Sequence, residues 1–433
     1  MTHRERLLTA LHHERPDRCP LQISFTPEFA ERLRPAVGAG DGSQAGSPHN
    51  PHGGGNTYEL ERALGEDMLL TSVGWANSYY AADAYNPGGD SYVDEWGVAW
   101  KCCRYSTRFG EGSYTEIVGH PLAEDAAVAS YRPPDPHRPE LYADARRLLD
   151  SFGREYWIVG VVVTTIFETA WALRGYEAML VDFVADPERA DAILDIPFRY
   201  HLAAAERLVR LGVDCIWIGD DVGGQHAMLI SPATWRRFLK PRLAELISSI
   251  KAIRPDLKVA YHSDGCIYPI IAELVEIGVD ILNPVQPLSM DPARLAREYG
   301  GKLSFWGSID EQRTLPFGTP ADVRAEVLER LRTVGRNGGL IIGPTHTSSS
   351  IPPSRMSWPW PTPCTARATR SSIDRADGAG VYSRRPAGGA GPTSSGGRVA
   401  GKGGGANAAA QAAGSVHPRA RIRSDDQEEF MEN

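Results

Sequence analysis

Residues 257–289, LKVAYHSDGCIYPIIAELVEIGVDILNPVQPLS, decide the fold class. A short apolar run, Leu257–Tyr261, ends in the polar cluster His262-Ser263-Asp264-Gly265. Ile267, Ile270, Ile271, Leu274 and Ile277 then recur at helical spacing, which predicts an amphipathic helix stopped by Gly278. A second apolar run, Val279–Leu282, ends in Asn283. This is a strand–helix–strand unit with its ionisable side chains where the strands finish. Parallel α/β folds bind ligands at those carboxyl ends, so the segment reads as part of a site.

The same alternation extends in both directions. Trp157–Thr164 is a continuous apolar run, as expected of a strand buried on both faces. Val213–Ile218 runs into Gly219-Asp220-Asp221, Leu303–Trp306 into Gly307-Ser308-Ile309-Asp310, and Gly339–Ile342 into Gly343-Pro344-Thr345-His346. Helical patterns fill the gaps at Pro187–Leu211, Ser231–Ile253, Asp291–Tyr299 and Pro320–Val334, with Ser231 before Pro232 forming a good helix start. Upstream, Pro20–Phe25 and Asp67–Ser72 complete eight candidate strands, the number a (β/α)8 TIM barrel needs. Tyr92–Val118 alternates aromatic and polar residues between turn glycines and is expected to be an inserted β-hairpin.

Bulk properties narrow the function classes. A net charge of −8 argues against nucleic acid or an anionic membrane surface as the main partner. No uninterrupted apolar run is long enough to span a bilayer, and the amphipathic N-terminus lacks a signal-peptide core. Six scattered cysteines without a CxxC pair fit a reducing cytoplasm.

The pattern stops at Thr347. From there to Asn433 there is no leucine, and Gly, Ala, Ser, Pro and Arg prevail, so this low-complexity tail cannot bury enough apolar surface to fold. It reads as a disordered tail or as a lost reading frame. Residues 345–353 can be encoded ACC CAC ACA TCC AGC TCG ATA CCC CCN. One added C after CAC turns the same bases into Thr-His-His-Ile-Gln-Leu-Asp-Thr-Pro. Beyond it, Trp358-Pro359-Trp360-Pro361 would be replaced by alanines alternating with Leu, Met or Val, an apolar helix start of the kind a barrel needs there.

Several strand-end residues are candidates for chemistry. His262 reads as a metal ligand, a general base or a histidine held within the barrel mouth, and Asp264 as a ligand or as the carboxylate orienting it. Asp220 and Asp221 form a carboxylate pair able to raise one another's pKa, with no ground in the sequence for choosing between them. Glu168 follows its strand closely and faces the same cleft; Arg174 either pairs with it, binds a substrate carboxylate or sits in a structural ion pair. Asp310 is a further cleft carboxylate, and Asn283 and Gln286 offer amides for a polar substrate. Cys266 and the Trp171, Trp217 and Trp306 rings read as packing.

Together RERLLTALHHERPDRCPL, DEWGVAW, FETAWALRGYEAMLVDF, GDDVGGQHAMLISPATWRRFLKPRL, the opening segment, LSFWGSIDEQ and GGLIIGPTH resemble the uroporphyrinogen decarboxylase superfamily over residues 1–346. That superfamily includes cobalamin- and thiol-dependent methyltransferases. The resemblance implies a (β/α)8 barrel with a cleft at the strand carboxyl ends. Decarboxylases proper carry an arginine-rich loop after the first strand, whereas here Gln22–Pro27 contains none before Arg32. An acidic chain without that clamp is poorly suited to a polyanionic porphyrinogen, so porphyrinogen decarboxylation is the alternative reading. The methyltransferase branch binds zinc through a His-x-Cys and a later Cys. The corresponding positions here are His262-Ser263-Asp264 and Thr345-His346, so His262, Asp264 and His346 are the implied ligands of zinc or a harder divalent metal. A corrinoid is the implied methyl carrier, and a small molecule or a corrinoid protein the implied partner.

Overall fold

The computed structural model describes residues 1–25, 27–39, 57–73, 91–107 and 110–346. Expectations for residues 347–433 lie outside the described residues. Seven parallel strands form one curled sheet: β1 (Met68–Ser72), then β5 (Trp157–Val161), β6 (Cys215–Gly219), β7 (Lys258–His262), β8 (Ile281–Asn283), β9 (Ser304–Ile309) and β10 (Leu340–Pro344), neighbours in that order. Strands β2 (Ser91–Val93), β3 (Ala99–Thr107) and β4 (Gly110–Gly119) make a separate antiparallel sheet, one strand more than a hairpin over 92–118.

The expected strand at Pro20–Phe25 is reduced to isolated bridge residues, Leu21, which pairs in parallel with Ile342, and Phe25. Its hydrogen bonds nevertheless reach both edges of the sheet. Gln22 N donates to Ile342 O on β10 at 3.1 Å, and Asp67 N beside β1 donates to Leu21 O at 2.9 Å. The arrangement is TIM-barrel-like.

Strand alternation divides the core in two. Met68, Leu70, Trp157, Val159, Cys215, Trp217, Ala260, Ile281, Trp306 and Ile341 pack inside the curl of the sheet. Leu69, Ile158, Ile216, Val259, Tyr261, Leu282, Phe305 and Leu340 pack outward with the apolar faces of the helices. The first helix, His3–Leu11, opens with a Thr2/Glu5 capping box and inserts Leu7 and Leu11 into the inner cluster. Downstream, Ser231 caps Pro232–Phe238, and the helices Pro187–Leu211, Pro292–Tyr299 and Pro320–Thr333 fall where the sequence periodicity put them.

Aspartates tie the amino ends of the strands. Asp67, Asp214 and Asp280 each accept a backbone N–H from the neighbouring segment, from Leu21, Ile158 and Val259, each at 2.9 Å. Each also meets cations: Arg6 and Arg18 at Asp67, Arg4 at Asp214, Lys251 at Asp280. These pairs lie at the end that barrels use for stability, which leaves the opposite end for chemistry. Among the described residues, no helix is long and apolar enough to cross a membrane.

Candidate active site at the carboxyl ends of the strands

Register brings the site together. Gly219 pairs with His262, and His262 with Asn283, so the segments leaving β6, β7 and β8 start side by side. Two residues beyond the Gly219–His262 pair, Asp221 and Asp264 meet: Asp264 N donates to Asp221 Oδ1 at 2.8 Å. The backbones touch closely enough to require glycine. Gly265 has φ +75°, and a Cβ there would sit 2.5 Å from the carbonyl carbon of Gly223. Cys266 N donates to Gly224 O at 2.8 Å, and Val222 N donates to Ser263 Oγ at 3.1 Å, which fixes the two loops together.

Asp221, His262 and Asp264 offer ligand atoms that all lie within 4.8 Å of one another. His262 Nε2 is 3.5 Å from Asp221 Oδ1, and His346 Nε2 is 4.0 Å from Asp264 Oδ2. Asn283 decides the tautomer of His262. Its Nδ2 donates to Trp306 O at 3.2 Å, so its Oδ1 accepts from His262 Nδ1 at 2.7 Å and the Nε2 lone pair is left for the cluster. Trp217 packs edge-on against the His262 ring, with centroids 5.5 Å apart.

The charges are mutually dependent. Glu168 Oε2 accepts from Asp221 N at 3.1 Å, and burial, followed by repulsion from Asp221 and Asp220, holds its carboxyl well above the usual range. Burial, then Asp221, also raises Asp264, against the pull of His262. Burial pulls His262 down, but the attraction of Asp221 and Asp264 and the Asn283 hydrogen bond outweigh it and leave the imidazole raised. A divalent cation fits this donor set: two carboxylates balance its charge, and Asp264 Oδ1 is buried without a hydrogen-bond partner. Among the described residues, the cluster includes no thiolate of a zinc–sulfur set.

Five of the residues expected in the cleft are committed to other partners. Asp220 is 1% exposed and caps the helix Phe167–Arg174, accepting from Ile166 N at 2.9 Å and Glu168 N at 3.0 Å. Asp310 accepts from Gln312 N and Arg313 N and closes a turn. Arg174 does not pair with Glu168; it bonds Asp182, Asp125 and the carbonyls of Leu122 and Ala123. Asn283 is held by His262 and Trp306, and Gln286 Oε1 accepts from Gly265 N at 2.6 Å. Sequence reasoning missed Asp221 as a member of the His262–Asp264 cluster, which only the β6–β7 register reveals. It also missed Thr165 and His201 behind it. His201 Nδ1 bonds Thr165 O at 2.7 Å, and Thr165 Oγ accepts from Gly219 N at 2.9 Å.

A model of the family described as Uroporphyrinogen decarboxylase (URO-D) matches residues 105–356, more than half of the chain. The chain belongs to the uroporphyrinogen decarboxylase family. Among its curated relatives, a uroporphyrinogen decarboxylase of Chlorobium phaeobacteroides is 28% identical over 129 residues, 30% of this chain and 34% of that one. The methylcobamide:CoM methyltransferase MtaA of Methanosarcina barkeri is 28% identical over 133 residues, 31% of this chain and 37% of that one. The matches thus span about a third of the length of these relatives. A methyltransferase structure from Methanosarcina mazei superposes with a TM-score of 0.58 at 19% identity, covering 81% of this chain and 95% of that one, and shares the fold.

Proposed function

We propose that residues 1–346 form a (β/α)8 enzyme of this family that carries out metal-assisted methyl transfer, with a corrinoid or a small methylated molecule as donor. The observation that carries the reading is the convergence of Asp221, His262 and Asp264, with His346 beside Asp264, at one end of the strands. These residues would hold zinc or another divalent metal, which when bound polarises an acceptor group and lowers its pKa. Asn283 orients His262 through Nδ1, as outer partners of ligating histidines do. Glu168, whose carboxyl burial and its carboxylate neighbours hold above the usual range, lies at the edge of the cluster and is placed to exchange a proton with a reacting group. Asp220 acts indirectly, by fixing the helix that carries Glu168.

Incubation of metal-loaded protein with methylcobalamin and candidate acceptors, followed by the cobalamin absorption spectrum, tests the reading. Loss of the methylcobalamin spectrum that depends on His262 and Asp264 supports it. Release of CO2 from a porphyrinogen by metal-free protein would instead favour the decarboxylase reading, to which the Chlorobium relative's name points. A third reading, an inactive product of a frame lost after His346, rests on the change in composition from Thr347 onward.

A further inference from the structure

Among the described residues, the donor cluster contains no sulfur. Its members are two carboxylates and one imidazole. The nearest cysteine in sequence, Cys266, packs against the outer core. Cys215 is buried in the inner core, and Cys19 donates to Leu340 O, on the first residue of β10. Carboxylate oxygens and an imidazole suit manganese, magnesium, iron or zinc, whereas soft cations are drawn to thiolates. Three ligands leave a position open on any of these ions, four with His346 leave positions open on a six-coordinate one, and hard cations fill those with oxygen.

We propose that the Asp221–His262–Asp264 site selects a hard or borderline divalent cation and presents its open position to an oxygen donor of the substrate, a hydroxyl or carboxylate, rather than to a thiol. The inference rests on the metal-site reading above and specifies the class of group that the site activates. Asp221 is then a ligand, so its removal affects metal affinity directly.

The test uses full-length protein stripped with chelator and titrated separately with Mn2+, Zn2+ and Cd2+ by calorimetry, with tryptophan fluorescence as a second readout because Trp217 adjoins His262. One Mn2+ or Zn2+ per chain is expected, with Cd2+ bound no more tightly than Zn2+. Asp221→Asn and Asp264→Asn, checked for native circular dichroism, should each weaken binding by about tenfold or more. In Co2+-loaded protein, acetohydroxamate should shift the visible bands, while 2-mercaptoethanol should produce no sulfur-to-cobalt charge-transfer band. A charge-transfer band with the thiol, or Cd2+ bound about 100-fold more tightly than Zn2+, would overturn the hard-donor inference and leave the metal site standing. Unchanged affinity in both folded variants would remove Asp221 and Asp264 as ligands. Absence of binding by every cation would overturn the inference and the metal-site reading together.

Discussion

Replacing the Asp220 carboxyl by an amide separates two opposing physical accounts of a buried helix cap. Asp220 is 1% exposed, and its carboxyl is hydrogen-bonded to Ile166 N and Glu168 N. Such amides favour the carboxylate, but burial opposes it more strongly and raises the group from 3.8 to about 6. A carboxyl raised in the folded state binds protons more tightly there than in the unfolded chain. Its contribution to stability is therefore full below the unfolded value and is lost as pH rises through the folded one. Fully ionised at pH 8, Asp220 destabilises the fold by about 3 kcal/mol relative to a neutral group, and by about half of that at pH 5. The substitution Asp220→Asn keeps an oxygen acceptor at the cap but carries no charge, so the variant escapes the ionisation penalty. Urea denaturation of both proteins with chelator present, at pH 5 and pH 8, measures the difference. Asp220→Asn should gain on wild type by about 1 kcal/mol or more between the two values. A variant that instead falls further behind wild type at pH 8 would show that Asp220 is an anion that stabilises the helix N-terminus, and the burial argument would fail.

Three further outcomes follow from the same contacts. Asn283→Ala removes the acceptor for His262 Nδ1 and should weaken metal binding about 10–100-fold, with partial recovery in Asn283→Asp, both read by calorimetry. Asp67→Ala leaves Leu21 N without its acceptor and Arg6 with Asp17 as its remaining carboxylate, and should lower unfolding free energy by about 1–3 kcal/mol without changing metal affinity, as measured by urea denaturation. Restoring one base after the His346 codon should yield a chain with a second histidine there and tighter metal binding than the present one; unchanged affinity would argue against a lost ligand.

The TIM-barrel-like parallel sheet was legible because its strands are buried on both faces and so read as uninterrupted apolar runs, as at Trp157–Val161. Leu21 was harder: a segment that makes only isolated bridges needs little β-propensity, and PLQISF carried more strand signal than the structure uses. His262 and Asp264 were legible from their place after a strand. Asp221 was not joined to them because that adjacency depends on the nonlocal register of Gly219 against His262. Local sequence also could not separate Asp220 from Asp221. Gly219, with φ +139°, redirects the chain so that one carboxylate turns to the buried helix start and the other to the cluster. Asn283 and Gln286 have contacts that local sequence does not reveal for a related reason, and Arg174 sits in a structural ion pair, one of its expected places. Their partners lie at least eight residues away in sequence, and the fold satisfies them before any substrate can.

The most direct test of the account is the metal content and affinity of the purified chain beside His262→Ala. One divalent ion per chain in the wild-type protein, with binding lost in a variant that keeps native circular dichroism, is the predicted result. Undiminished binding in that folded variant, or no bound ion in the wild-type chain after equilibration with Mn2+ and Zn2+, would contradict it.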